Sequence, residues 1–230
     1  MFKLENLIQP EQLSIVLVTL FLVVMFMIIG KYMKSLDYTK SPKGVAAIGV
    51  LFVEMVTKMT VDNMGERYGK PMSIYIGSVF IYLLFANTFG LFGFAPPTGN
   101  FSVTLVLAFL SWFLIQAISI KHNGFKGYLK GFFEPFFPFV IPNVVGLVAP
   151  LISLSMRLFG NILAGGVIMG LVYGFGAWLS GFIPLIGGLD VVSVFITPVL
   201  HLYFDLFAGF LQAFLFVTLT QMFIAVEYAN

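Results

Sequence analysis

Ser153-Leu154-Ser155-Met156-Arg157-Leu158-Phe159-Gly160-Asn161-Ile162-Leu163-Ala164-Gly165 is the stretch on which the fold turns, because Arg157 is the only charge between Glu134 and Asp190. A run that long and that apolar belongs in lipid. An arginine at the centre of a bilayer costs about 3 kcal/mol on insertion scales and roughly 10–17 in simulations, so it faces protein or water and has a task. At about 100° per residue, Ser153, Arg157, Asn161 and Ala164 share one narrow helix face. The Asn161 carbonyl can accept from a guanidinium there. Gly166, Gly170 and Gly174 fall on the opposite side, at a spacing that lets helices approach closely. The plainer alternative for Arg157 is a buried ion pair with Asp205 that serves assembly alone.

The rest of the chain has the same character. Sixty per cent of its 230 residues are hydrophobic and 10% are charged, with 28 Phe, and the mean hydropathy is +1.02. A soluble domain cannot hide that much apolar surface. The chain has no cysteine, which excludes disulfides and thiolate metal sites, and a formal charge of +2 is too small to point to nucleic acid. Residues 1–12 carry Lys3, Glu5 and Glu11 rather than a basic leader, so 13–30 reads as a retained first span behind an external N-terminus.

A span takes roughly 20 apolar residues. Between Lys70 and Lys121 there is no acidic or basic residue, and Ala95-Pro96-Pro97-Thr98-Gly99-Asn100 divides the run. It yields spans over 72–94 and 101–120. Two longer segments follow, 135–176 and 190–228, the second with Asp205 as its only formal charge between Asp190 and Glu227. About 40 helical residues measure roughly 60 Å, twice the hydrocarbon core. Pro138, Pro142 and Pro150 are candidate breaks near the start of the first of these; strong tilt is the reading for the rest. The fold class is therefore an all-α polytopic membrane protein of a single membrane domain. It has five membrane segments, the last two forming a long, tilted hairpin.

Lys31, Lys34, Lys40, Lys43, Lys58, Arg67 and Lys70 follow the first span, and Lys121, Lys126 and Lys130 follow the third. Positive loops face the cytoplasm, which puts the N-terminus outside and the C-terminus inside. Within the first basic loop, Glu54, Lys58, Asp62 and Glu66 recur every four residues opposite Ile48, Phe52, Met55 and Met59. Residues 44–68 read as an amphipathic helix at the bilayer surface.

The last segment carries a second polar strip. Thr197, His201, Asp205, Ala208 and Gln212 project within roughly an 80° arc of an α-helix. Hydroxyl, imidazole, carboxylate and amide at that spacing in a membrane helix read as a proton or ion path. Gln212 is in reach of Arg157 across the hairpin on this projection. His122 and His201 lie too far apart to suggest a metal. The sequence contains no phosphate-binding loop and no Ser-His-Asp spacing, so the chain is expected to need no cofactor and to run no covalent catalysis.

The Ser153–Gly165 run resembles the arginine motif of subunit a of the F-type rotary ATP synthase. Leu211-Gln212-Ala213-Phe214-Leu215-Phe216 resembles that family's last-helix motif. The likeness extends to Gly127-Tyr128-Leu129-Lys130-Gly131-Phe132-Phe133-Glu134-Pro135 and to the stretch from Pro97 to Leu105. It implies a stator subunit of a bacterial cytoplasmic membrane. Its partners would be a rotating ring of c subunits, the b-subunit peripheral stalk and the rest of the complex. It also implies two aqueous half-channels for protons or sodium ions, with Arg157 between them and opposite the ring carboxylate, and a steep tilt of the last two helices. Asn161, His201, Asp205 and Gln212 would take part in translocation, with Ser153, Thr197 and Asp190 as half-channel lining. Gly166 stands where many members carry an acid, and Asp205 where others carry His or Glu. The outer half-channel is therefore expected to run through His201, Asp205 and Asp190 with water. An ion-coupled secondary transporter or pump subunit is the rival reading, and the chain lacks the paired halves a transporter would need.

Overall fold

Backbone amides in lipid have no water to bond, so apolar runs of this length close their hydrogen bonds within helices. The computed structural model describes residues 10–34, 43–134, 136–182 and 191–229. Among them the elements are α1 (Pro10–Lys34), α2 (Val45–Thr88), α3 (Phe101–Gly131), α4 (Val140–Ser180), α5 (Val191–His201) and α6 (Gly209–Ala229). A π-helical turn, Leu202–Ala208, joins α5 to α6. Short 3-10 turns occupy Phe89–Phe92, Pro97–Gly99 and Phe137–Phe139. Among the described residues, five helical stretches are long and apolar enough to cross a membrane: Pro10–Lys34, Val45–Phe92, Phe101–Gly131, Phe137–Ser180 and Ser193–Tyr228. This is the all-helical, five-segment membrane protein expected from the sequence.

The main revision concerns residues 44–68. The break in α2 falls at Gly65, whose φ of 77° and ψ of 163° lie outside the helical region. Only glycine adopts that conformation readily. The chain reverses there. A Cβ on Gly69 would sit 2.6 Å from the Thr60 carbonyl oxygen, and one on Gly77 would touch Val56 and Phe52. Residues 45–64 therefore fold back along 66–88 as a tight helical hairpin, with Phe52 and Phe80 rings 6.3 Å apart. The expected amphipathic helix is present, but it ends at Gly65 rather than 68. Of its expected apolar face, Phe52 and Met59 pack inward, while Ile48 and Met55 remain exposed.

The expected proline break in the fourth segment is confined to its start. Pro138 lies in the 3-10 turn Phe137–Phe139, and from Val140 the helix runs 41 residues straight through Pro150. Pro150 deprives the Gly146 carbonyl of its usual donor. The neighbouring Leu147 carbonyl accepts the Trp112 indole N–H at 2.7 Å, tying α4 to α3. Asn143 donates to the carbonyls of Gly131, Phe132 and Glu134, closing the end of α3.

Lipid tails are as apolar as leucine, so these helices are held by close packing and hydrogen bonds between them. The core joins Ile76, Phe80 and Leu83 of α2 to Leu154 and Leu158 of α4 and Phe216 and Val217 of α6. Polar ties cross it: the Tyr75 and Ser111 hydroxyls lie 2.8 Å apart, and Asn63 donates to Gln221 at 2.6 Å. α4 packs on α3 and α5 but keeps a broad exposed face of Met156, Leu163 and Val167.

Candidate ion path

On α4 the fully buried stripe is Leu154, Ser155, Leu158, Gly165 and Met169. Arg157 lies about 100° round from Leu158 and is exposed. Among the described residues its guanidinium has no hydrogen-bond or ion-pair partner. Ser153 and Asn161 flank it on the same face, both partly buried. The sequence-based ion pair between Arg157 and Asp205 is thus not formed.

Neither is the expected bond from Gln212 to Arg157. Gln212 is only 6% exposed and its Nε2 has no partner. The reason is the turn Leu202–Ala208. Its residues bond i to i+5 rather than i to i+4, so each advances less than 100° about the axis. An α-helical projection across 197–212 accumulates that error, so positions beyond the turn are displaced from the expected arc. Thr197 is buried and donates back to the Ser193 carbonyl. Asp190 lies outside the described residues.

One part of the strip survives. His201 Nδ1 lies 2.6 Å from Asp205 Oδ2, one turn on. His201 Nε2 lies 3.1 Å from the hydroxyl of Tyr173 on α4. With Asp205 ionised, Nδ1–H donates to the carboxylate, so Nε2 accepts from Tyr173. Sequence reasoning missed Tyr173: it sits about 160° from Arg157 on an α4 projection, and nothing in spacing pairs it with a residue across the hairpin.

The carboxylate of Asp205 has a built seat. A Cβ at Gly90, in the 3-10 turn after α2, would lie 3.2 Å from the Asp205 carboxyl carbon. Glycine leaves the room that the carboxylate fills. Asn87, one turn earlier and 1% exposed, donates from Nδ2 to the Gly209 carbonyl at 3.1 Å. Its Oδ1 accepts from the Thr98 hydroxyl at 2.9 Å. Asn87 thereby pins the end of the π turn to α2 and to the Pro97–Gly99 turn. Asn87→Leu leaves the buried Thr98 hydroxyl without its acceptor, and the expected loss is about 1–3 kcal/mol. Thermal unfolding of the detergent-solubilised protein measures it.

At the other end of α4, a cavity of about 1130 Å³ is lined by Gln116, Asn123, Tyr128, Glu134, Glu227 and Ser153, among others. Lys130 and Glu134 pair across 3.3 Å at its rim, and Tyr128 donates to Gln116 at 2.8 Å. Ser153 is one helical turn before Arg157, so polar lining reaches to within a turn of the guanidinium.

Ionisable groups held among five apolar helices define an integral membrane protein with polar groups on its long helices. The comparisons with known proteins agree. The family model described as ATP synthase A chain matches residues 13–225. ATP synthase subunit a of Chlorobium phaeobacteroides (strain BS1) is 33% identical over 93% of this chain and 64% of its own length. Subunit a of Mycoplasma genitalium is 33% identical over 90% of this chain and 75% of its own. The sodium ion specific subunit a of Propionigenium modestum is 32% identical over 75% of this chain and 61% of its own. The chain belongs to the ATP synthase A chain family. It spans just under two thirds of the length of the Chlorobium and Propionigenium relatives.

Proposed function

We propose that this chain is the stator side of the ion path in the membrane sector of an F-type ATP synthase. One observation carries the reading: Arg157 stands exposed, with no partner among the described residues, midway along a helix of 41 residues. A lone guanidinium in lipid is untenable, so a group on another chain answers it. On this reading that group is a carboxylate of the c-subunit ring. Arg157 favours that carboxylate's ionised form and repels a cation passing directly between the two sides. At about 60 Å the helix is twice the thickness of the hydrocarbon core and lies obliquely, its exposed face of Met156, Leu163 and Val167 along the ring.

On this reading the cavity beside Ser153 is the cytoplasmic half of the path, and Asp205 with His201 belongs to the outer half. Gln212 and Asn161 shape the surroundings of Arg157 rather than bond it. The excess of Lys and Arg in the loops after the first and third spans supports an external N-terminus and a cytoplasmic C-terminus, and Glu54, Lys58 and Asp62 are exposed on the 45–64 helix. The c subunits, the peripheral stalk and the remaining complex are the partners.

The chain contains no cysteine, so introduced thiols in it have no background. Met156→Cys and Leu163→Cys are each expected to form a disulfide with a cysteine placed one turn from the ring carboxylate. Leu154→Cys, on the buried face, is expected to form none. No cross-link from either exposed position contradicts the ring-facing assignment.

A further inference from the structure

We propose that Tyr173, His201 and Asp205 form a proton relay that is the outer limb of the path, so that this limb passes protons and not alkali cations. The inference rests on the reading that Asp205 lies on that path. Its own evidence is the unbroken contact from Tyr173 Oη through both nitrogens of His201 to Asp205 Oδ2, at 3.1 and 2.6 Å. The chain of groups also runs inward. Tyr173 is exposed two turns before the end of α4. The His201 side chain is 36% exposed and that of Asp205 20%. Phe204, beside Asp205, packs on Gly165, which is eight residues from Arg157, or about 12 Å along the helix.

The transfer balances with O–H and N–H bonds alone. A proton from external water binds the Tyr173 oxygen as that hydroxyl's own proton moves to Nε2 of His201. The proton on Nδ1 then moves to Oδ2 of Asp205, whose carboxylate is neutralised. One proton has entered, the hydroxyl is restored, and the imidazole is neutral in its other tautomer. When Asp205 releases its proton inward, Nε2 gives its proton to water as Nδ1 takes one from water, which resets the imidazole with no net change at the ring; the His201 side chain is 36% exposed. Imidazole suits this because it donates at one nitrogen while accepting at the other. A hard cation has no such route, since it needs a shell of oxygen ligands and meets two ring nitrogens in the middle of this one. The seat at Gly90 fills the space beside the carboxylate with backbone.

The test uses membranes carrying the whole complex, with ATP-driven pumping followed by a pH-sensitive dye. Tyr173→Phe keeps the ring and removes the hydroxyl; pumping is expected to fall several-fold. His201→Ala is expected to fall further and to recover when imidazole is added, judged against unsubstituted membranes in the same imidazole. A purely structural histidine gives no such recovery. Pumping by His201→Ala that imidazole leaves unchanged overturns the relay, and so does a Tyr173→Phe complex at the unsubstituted rate. ATP-dependent uptake of radioactive sodium by unsubstituted membranes overturns the proton assignment. Asp205→Asn pumping at full rate instead defeats the underlying reading of the path, which separates the two failures.

Discussion

Arg157→Ala is expected to abolish coupled ATP synthesis while the complex still assembles. The side chain makes no bond among the described residues, so its removal costs the fold little; Leu154 and Leu158, which pack the core, are untouched. What is lost lies between chains. A guanidinium about 4 Å from a carboxylate interacts by about 4 kcal/mol at an effective dielectric of 20. That is roughly a thousandfold in the carboxylate's ionisation equilibrium. Without it a ring carboxylate holds its ion past the stator, and the direct route between the two sides loses its positive barrier. Arg157→Lys keeps the charge but not the planar fork, and a buried lysine can shed its proton as arginine does not. It is expected to retain assembly and only a small part of the synthesis rate. The check is ATP synthesis by reconstituted vesicles under an imposed ion gradient, with subunit content verified. Coupled synthesis at the unsubstituted rate in Arg157→Ala rejects the role.

Asp205→Asn has the second largest expected effect. The amide fits the same seat against Gly90, and its carbonyl still accepts from His201 Nδ1–H. The fold, the π turn and the Asn87 clamp therefore persist. The amide cannot take up a proton, and the charge that orders the imidazole is gone. ATP-driven pumping is expected to fall by about a hundredfold, the lower end of what one positioned acid–base group contributes to proton transfer. Asp205→Glu restores a carboxylate one methylene too long for that seat and is expected to recover part of the rate. Initial pumping rates in inverted membranes, normalised to assembled complex, decide it.

The sequence made the fold and half of the site legible, for reasons that differ by residue. Long apolar runs leave the backbone no choice but helix, so the five segments follow from composition and length. Arg157 announces itself because it is the only charge in its run, and no packing argument explains an arginine there. His201 and Asp205 pair across one turn whatever the local winding, which is why they survived as neighbours. The π turn at 202–208 left no mark: Leu-Tyr-Phe-Asp-Leu-Phe-Ala is an ordinary helix former. Positions counted past that turn, Gln212 among them, are displaced from where an α-helical projection puts them. Tyr173 stayed hidden because its partner is set by how two antiparallel helices register across the hairpin, which periodicity along either helix does not fix. The reversal at Gly65 hid differently, as a glycine inside a pattern that otherwise reads as helix on both sides.

The barrier at Arg157 can be isolated from rotation. Locking the ring to the stator with the Met156→Cys cross-link stops ions from riding the carboxylates round. In membranes stripped of the catalytic head, the locked complex with Arg157 intact is expected to be tight to protons under an imposed potential. The locked complex carrying Arg157→Ala is expected to leak, because the two halves of the path then meet without a positive charge between them. A locked Arg157→Ala complex as tight as the one that keeps its arginine contradicts the central claim that this side chain separates the two halves.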